Sequence, residues 1–254
     1  MDYLSRLHQL CQPYTEALNL QLQLTEVDRC VAEIQAGQLL SRPFPLLGLN
    51  DDDWLTFLEI ASAQPHLQLR VNSDYRVIDQ LLHNFRKFLQ YHFGQWTLIN
   101  QQAVAMWTKF WPFRRYLELM AGNGLLAKAL QGRGQSVIAT DSFAWQGENQ
   151  TGRQLFFPVQ NYSATAAITK FGEQVDTIIL SWSPDRDPLD WCLLQRIRQL
   201  PNHPDLLVIG EKFGVTNSEL FWRTQPTNFS AQIQLTNRYL PRRDLVAEQL
   251  FLFR

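Results

Sequence analysis

The sequence is poor in the residues that build cross-linked or metal-centred sites. It holds three cysteines in 254 residues, Cys11, Cys30 and Cys192, at spacings that no metal ligand set uses, and an odd number leaves one without a disulfide partner. That points to a reducing compartment rather than a stapled secreted domain. The five histidines (8, 66, 83, 92 and 203) are scattered, so no metal site is expected. Neither sign of charge is in excess. Lys and Arg number 23 against 24 Asp and Glu; residues 1–113 carry 8 basic and 11 acidic side chains, and residues 114–254 carry 15 and 13. Neither half has the basic footprint of a nucleic-acid binder, which argues against a nucleic-acid partner. No apolar run approaches the ~20 residues needed to span a bilayer. The first residues also lack the basic start and unbroken apolar core of a signal peptide. A cytoplasmic protein with no membrane partner is expected. What the sequence does have is core: 45% hydrophobic residues against 19% charged exclude a disordered chain.

Two textures divide it. Residues 1–106 read as a helical N-terminal region. LSRLHQLCQ, YTEALNLQLQL and EVDRCVAEIQAG place apolar residues three and four apart, with a break at Pro13 and a stop at Gly37. DDDWLTFLEIASA opens on acids, as a helix N-terminus should, and DYRVIDQLLHNFRKFLQYHF reads as one further helix ended by Gly94. Another, NQQAVAMWTKFWPF, leads into residues 107–254, where the texture becomes α/β. YLELM, SVIATD, LFFPV, DTIILSW and DLLVIGE are strand-like, and most are separated by helix-length segments, as in parallel βαβ units. SAQIQLTNRYL and DLVAEQLFLFR then read as two strands joined by Pro-Arg-Arg-Asp, an antiparallel hairpin closing the sheet.

The chemistry concentrates at YLELMAGNGLLAKALQGRGQSVIATDS. Glu118 closes one strand, Gly122 and Gly124 turn the chain into a helix, and Asp141 closes the next strand, 23 positions after Glu118. Glycines let the backbone turn sharply and let a ligand approach it. The helix N-terminus offers unpaired N–H groups, and a carboxylate at the position of Asp141 can accept from both hydroxyls of a ribose. GNGLLA also satisfies G-x-G-x-x-A, the dinucleotide pattern, which would make the protein an NAD(P)-dependent oxidoreductase. Glu118 speaks against that reading, because a carboxylate beside a pyrophosphate is repelled, whereas it suits a cationic ligand.

Glu118-Leu-Met-Ala-Gly122-Asn-Gly124 followed by VIATD141 is similar to the first two motifs of class I S-adenosylmethionine-dependent methyltransferases. It departs from their acid-x-Gly-x-Gly-x-Gly run in having Met120 at the first glycine. The resemblance covers roughly residues 107–254 and implies a seven-stranded Rossmann-like sheet, mainly parallel with a C-terminal antiparallel hairpin, and S-adenosyl-L-methionine as cofactor. It implies that Glu118 orients the methionine amino end and that Ala121, Gly122, Asn123 and Gly124 pass close to the cofactor. Asp141 would hold the ribose. Ser142 and Phe143 would lie along the adenine, with Trp145 nearby and Gln160 or Asn161 reaching its amino group.

After the fourth strand, Ser181-Trp182-Ser183-Pro184 stands where amino-methyltransferases of the family carry Asn or Asp, Pro-Pro and an aromatic residue. Ser181 cannot make their paired contact, which disfavours a nucleobase amino acceptor and leaves a small molecule or a protein side chain. Ser181 is placed at the cofactor; Trp182, Ser183 and Glu211 are placed at the substrate. Trp182 reads either as an acceptor wall or as a core indole. Glu211 reads either as a general base raised in pKa by burial or as the partner of a nearby arginine. The helical region is expected to cap the acceptor site or to mediate self-association as a homodimer. The absence of a recognisable acceptor motif leaves open a non-catalytic scaffold on the same fold.

Overall fold

The first helix is nine residues long, and proline decides where it stops. The computed structural model describes residues 2–224, 226–242 and 244–254. Helix α1 (Tyr3–Cys11) gives way to a single 3-10 turn at Gln12–Tyr14, with Pro13 inside that turn. The next two apolar stretches fuse into one helix, α2 (Leu18–Gln35), and Gly37 follows in the left-handed conformation at φ 67°. α3 (Asp51–Ala63) starts on a capping box: Asn50 Oδ1 accepts from Asp52 N and Asp53 N, and Asp53 accepts from Asn50 N. A short α4 (Pro65–Gln68) leads to α5 (Val71–His83) and α6 (Phe85–Phe93). The single helix expected over 74–93 is therefore two. Asn84 leaves helical geometry at φ −86°, ψ 3°, and its side chain donates back to Gln80 O.

The chain forms two compact units. One runs to Ala32 and resumes from Pro45 to Leu89; the other takes Glu33–Phe44 and Gln90–Arg254. The second unit thus includes α7 (Gln101–Phe110) and residues 90–100, which lie on the helical side of a division at 106. The core of the first unit is aromatic. Tyr14 stacks on Phe57 at 4.2 Å and donates its hydroxyl to buried Asp74.

The second unit is built on a sheet. In chain order it contributes β1 (Arg115–Leu119), α8 (Leu125–Gln131), β2 (Ser136–Asp141), β3 (Val159–Asn161), α9 (Ala164–Phe171), β4 (Thr177–Ser181), α10 (Leu189–Arg198), β5 (Asp205–Gly210), α11 (Glu219–Thr224), α12 (Ala231–Asn237) and β6 (Gln249–Phe253). The strands lie in the order β3-β2-β1-β4-β5-β6, parallel except for β6, which runs antiparallel to β5 with Leu206 opposite Phe253. Covering a parallel sheet on both faces makes its strands almost wholly apolar. Leu117, Leu119, Ile178, Leu180, Leu206 and Val208 pack on one face against α9, α10 and α11. By alternation Tyr116, Glu118, Ala139, Asp141, Ile179 and Ser181 point to the other. There the indole N–H of fully buried Trp107, on α7, donates to the Tyr116 hydroxyl.

The sheet departs from the expected seven strands and hairpin. The described residues form six strands, and the first arm of the hairpin is a helix, α12. Ser230 caps it by accepting from Ile233 N, and the buried positions Ile233, Thr236 and Leu240 recur every three or four residues. Alternating Ile233 and Leu235 gave the strand pattern, but Leu235 faces solvent. Of the expected strand LFFPV only Val159 enters β3, because Pro158 just before it cannot donate to a ladder. Arg243, in the expected Pro-Arg-Arg-Asp turn, lies outside the described residues.

Candidate functional site

In an open parallel sheet, ligands bind beyond the carboxyl ends of the strands, where the helix N-termini also point. Four of those ends here carry a bulky residue in left-handed backbone: Met120 after β1 (φ 54°), Phe143 after β2 (φ 56°), Trp182 after β4 (φ 54°) and Phe213 after β5 (φ 59°). Each such residue costs roughly 1 kcal/mol or more and persists only where its surroundings enforce it. Met120 adopts a conformation that a glycine at its position would take without strain.

The turn that follows is held from beneath by Asp141. Its Oδ2 accepts from Gly122 N at 2.8 Å and its Oδ1 from Phe143 N at 2.6 Å. The buried carboxylate thus fixes the glycine turn and the backbone just past β2 together. Asn161 lies beside Asp141 in the β2–β3 register and is exposed; Ser142 is also exposed, and Phe143 is half-buried. Ala121 donates to Thr140 O and accepts from Gly124 N, closing the turn. Gly124, at φ 76°, starts α8, and a Cβ there would fall 2.8 Å from Phe157 Cβ.

Asn123 draws two distant segments over this turn. Its Nδ2 donates to Phe93 O at 2.7 Å, and its Oδ1 accepts from Gly152 N at 2.6 Å. Thr151 and Gly94 then meet above Gly122: a Cβ on Gly122 would lie 3.3 Å from Thr151 Cγ2 and 4.0 Å from Gly94 O. Trp96 Nε1 donates to Thr151 Oγ1 at 2.9 Å and fastens the two segments to each other.

Glu118 is placed differently. It is the last residue but one of β1, on the face of the sheet shared with Asp141, is 2% exposed, and its Oε2 has no hydrogen-bond partner. The backbone N–H of Ala127, in the first turn of α8, donates to the carboxyl. Burial outweighs that donation, and the nearby Asp141 charge adds to it, so that the group is pushed up from 4.5 to about 8. A buried carboxyl with one oxygen unmatched costs ~1–3 kcal/mol. A cationic ligand group at that oxygen would supply the missing partner.

The ends of β4 and β5 hold more unmatched polar atoms. Ser181 (8% exposed), Ser183 (1%) and Asn217 (2%) have side chains with no hydrogen-bond partner, and in Asn217 both amide atoms are unmatched. Trp182 is half-buried. Its indole N–H donates to Glu248 Oε2 at 2.7 Å, and its ring centroid lies 6.0 Å from that of Trp96. Glu211 is an anchor in this geometry. Its Oε2 accepts from Val215 N and its Oε1 from Ala247 N, so the half-buried carboxylate holds backbone, and among the described residues no arginine pairs with it. Gly214 is obligatory for this arrangement, since a Cβ there would fall 2.0 Å from Glu211 Oε2.

Sequence reasoning did not find Thr151, Gly94, Asn217 or Glu248. Glu248, buried just ahead of β6, binds Thr97 Oγ1, Leu98 N and Trp182 Nε1 at once. An acid directly preceding an apolar strand was the one available signal. Among the described residues, no helix is long and apolar enough to cross a membrane, and no cluster of His, Cys, Asp and Glu could hold a metal ion.

No protein-family model matches the sequence, and no curated protein matches it. Solved structures do. The N,N-8-amino-8-demethyl-D-riboflavin dimethyltransferase of Streptomyces davawensis is 15% identical over 76% of this chain and 53% of its own, with a TM-score of 0.26. Human N-acetylserotonin methyltransferase in complex with SAM is 13% identical over 89% and 66%, with a TM-score of 0.38. The CurJ carbon methyltransferase is 12% identical over 100% and 99%, with a TM-score of 0.34. The chain thus spans about half the length of the first of these proteins. With TM-scores this low, none of the three bears on function, which rests on the geometry alone.

Proposed function

We propose that the second unit binds S-adenosyl-L-methionine across the ends of β1 and β2 and is a methyltransferase acting on a small molecule or a protein side chain. The observation that carries this reading is Glu118: a buried carboxyl, raised to about 8, with Oε2 unmatched, at the foot of a glycine turn. The residues fit a ligand with a cationic end and a ribose. Glu118 would hold the ammonium, and Gly122 and Gly124 keep side chains away from the turn. Each oxygen of Asp141 has a second lone pair beyond the one its backbone donor uses, which a ribose hydroxyl would meet, with Ser142, Phe143 and Asn161 beside it. When bound, the sulfonium supplies an already activated methyl group, so the protein has mainly to align the nucleophile and exclude water. Trp182 and the unmatched hydroxyls of Ser181 and Ser183, at and just after the end of β4, would face the acceptor.

A second reading has one observation in its favour. Both oxygens of Asp141 already serve the backbone, and Thr151 roofs Gly122, as a scaffold that no longer binds cofactor would permit. Titration calorimetry with S-adenosylhomocysteine and with NADH separates the readings. The homocysteine compound should bind and NADH should not. Affinity should rise up to tenfold per pH unit as pH climbs toward 8, because Glu118 must give up a proton to meet the ammonium. Binding of NADH alone, or of neither compound, would sink the proposal, the second outcome favouring the scaffold.

A further inference from the structure

Asn217 sits in a loop tied at several points, yet its own side chain has no hydrogen-bond partner. Around it, Thr216 Oγ1 accepts from Glu211 N at 2.7 Å, and Ser218 N and Oγ donate to the two oxygens of fully buried Asp190 at 2.7 Å each. Asn217 N donates to Ser183 O at 2.7 Å, and Pro184 bridges to Thr216, so the loops after β4 and β5 are laced together at this point. The backbone of Asn217 is held at φ 60°. A Cβ on Gly210, at the end of β5, would fall 2.2 Å from Thr216 Oγ1, which fills the place left by that glycine, and 3.1 Å from Asn217 Oδ1, so the amide lies against the end of β5. Ser181 pairs with Ile209, the residue before Gly210, and Ser183 is bonded to Asn217 through the backbone. Both serine hydroxyls are unmatched as well.

We propose that Asn217, with Ser183 and Ser181, forms a recognition site for a neutral amide, a carboxamide or lactam group of the acceptor. A carboxamide presents a donor and an acceptor side by side, and another amide offers the complementary edge, so two parallel hydrogen bonds form. The hydroxyls can each give or take one more. Every member of the set is uncharged, and a charged carboxylate or ammonium would be desolvated there without a counterion. A loop made rigid by Glu211, Thr216 and Asp190 keeps the amide from turning away to find a partner of its own, which is how a recognition group is preorganised. This deepens the methyl-transfer reading by naming the acceptor chemistry, yet its test does not depend on the cofactor.

The test uses the full-length chain, benzamide as the neutral amide and benzoate as its charged counterpart. The Asn217 side-chain NH₂ signal in the ¹⁵N spectrum is identified by its loss in Asn217→Gly. Benzamide should shift that signal in a saturable way; benzoate at the same concentration should shift it at least tenfold less. Asn217→Gly should lose the benzamide response and melt no lower than the wild type, since glycine relieves both the left-handed backbone and the unmatched amide. Equal shifts with benzoate, no shift with benzamide, or a lower melting temperature for Asn217→Gly would each overturn the proposal, the last by showing that the side chain serves the fold. Failure of S-adenosylhomocysteine to bind leaves these readouts intact, so the two ideas fail separately.

Discussion

Two carboxylates lie at the carboxyl ends of neighbouring parallel strands, Asp141 as the last residue of β2 and Glu118 one residue short of the end of β1, on the same face of one sheet, and they have opposite fates. Asp141 spends both oxygens on backbone amides, those of Gly122 and Phe143. Glu118 is buried as deeply, has one oxygen without a partner, and is pushed to about 8. The difference lies in where the chain turns. After β2 it bends back toward the glycine turn, bringing two N–H groups to Asp141, whereas Glu118 sits one residue inside its strand, beneath a helix end that reaches it with a single N–H.

Breaking Glu118 should have the largest effect, and it should depend on pH. Its pKa in the folded chain lies above its ordinary value of 4.5, so the native state is favoured while the group is protonated and loses stability as pH rises from 4.5 through about 8. Glu118→Gln removes that loss, which amounts to about 1.4 kcal/mol for each pH unit between the two values. In urea titrations the variant should match wild type near pH 4.5 and exceed it by several kcal/mol at pH 9, again on the order of that slope. Parallel curves for the two proteins across this range would mean that Glu118 is already matched.

Breaking Asp141 should come next, in the opposite direction. Asp141→Ala leaves Gly122 N and Phe143 N unpaired, and the loss of two charge-assisted bonds should cost roughly 3–5 kcal/mol at pH 7. Loss of ligand affinity with full retention of stability would instead make Asp141 a ligand residue alone.

The smallest effect sharpens the comparison at its middle, the turn between the two acids. Met120 carries left-handed backbone and packs half-buried against the sheet core. Alanine there loses the packing and keeps the strain, while glycine loses the packing and relieves it. Met120→Gly should therefore be more stable than Met120→Ala by about 1 kcal/mol, the reverse of the usual order. Thermal melts of the two variants decide it.

The sequence made legible what depends on neighbours along the chain. Strands β1, β2, β4 and β5 announce themselves as short apolar runs, and the Gly122–Gly124 turn with its flanking acids locates the crevice. Segment 230–240 misled, because Ile233 and Leu235 satisfy a period of two as readily as Ile233 and Thr236 satisfy a helical one. Only the Ser230 cap and the choice of buried face settle which. The cover over the turn was not legible, since Asn123 reaches partners 30 and 29 residues away and Trp96 one 55 away. Nor was the isolation of Asn217. In a string of letters an asparagine in a Thr-Asn-Ser loop reads as solvent-facing, and burial without a partner is a property of the folded chain alone.

Glu248 carries a consequence for the order in which the molecule is made. Thr97, Leu98 and Trp182, which it binds, precede it by as many as 151 positions, and the nearest of them by 66. A ribosome adding roughly 5–20 residues per second therefore holds Trp182 exposed for several seconds before the carboxylate that steadies it has been translated. Once β5 has emerged, and until β6 follows, it is a bare sheet edge, the kind of surface that invites pairing with other chains. β6 and Glu248 arrive together, so one stretch of nascent chain seals the edge and fixes the wall of the crevice in the same event. Ribosome-bound chains stalled before residue 248 should bind chaperones that recognise open edges, and those stalled far enough beyond β6 for it to leave the exit tunnel should not.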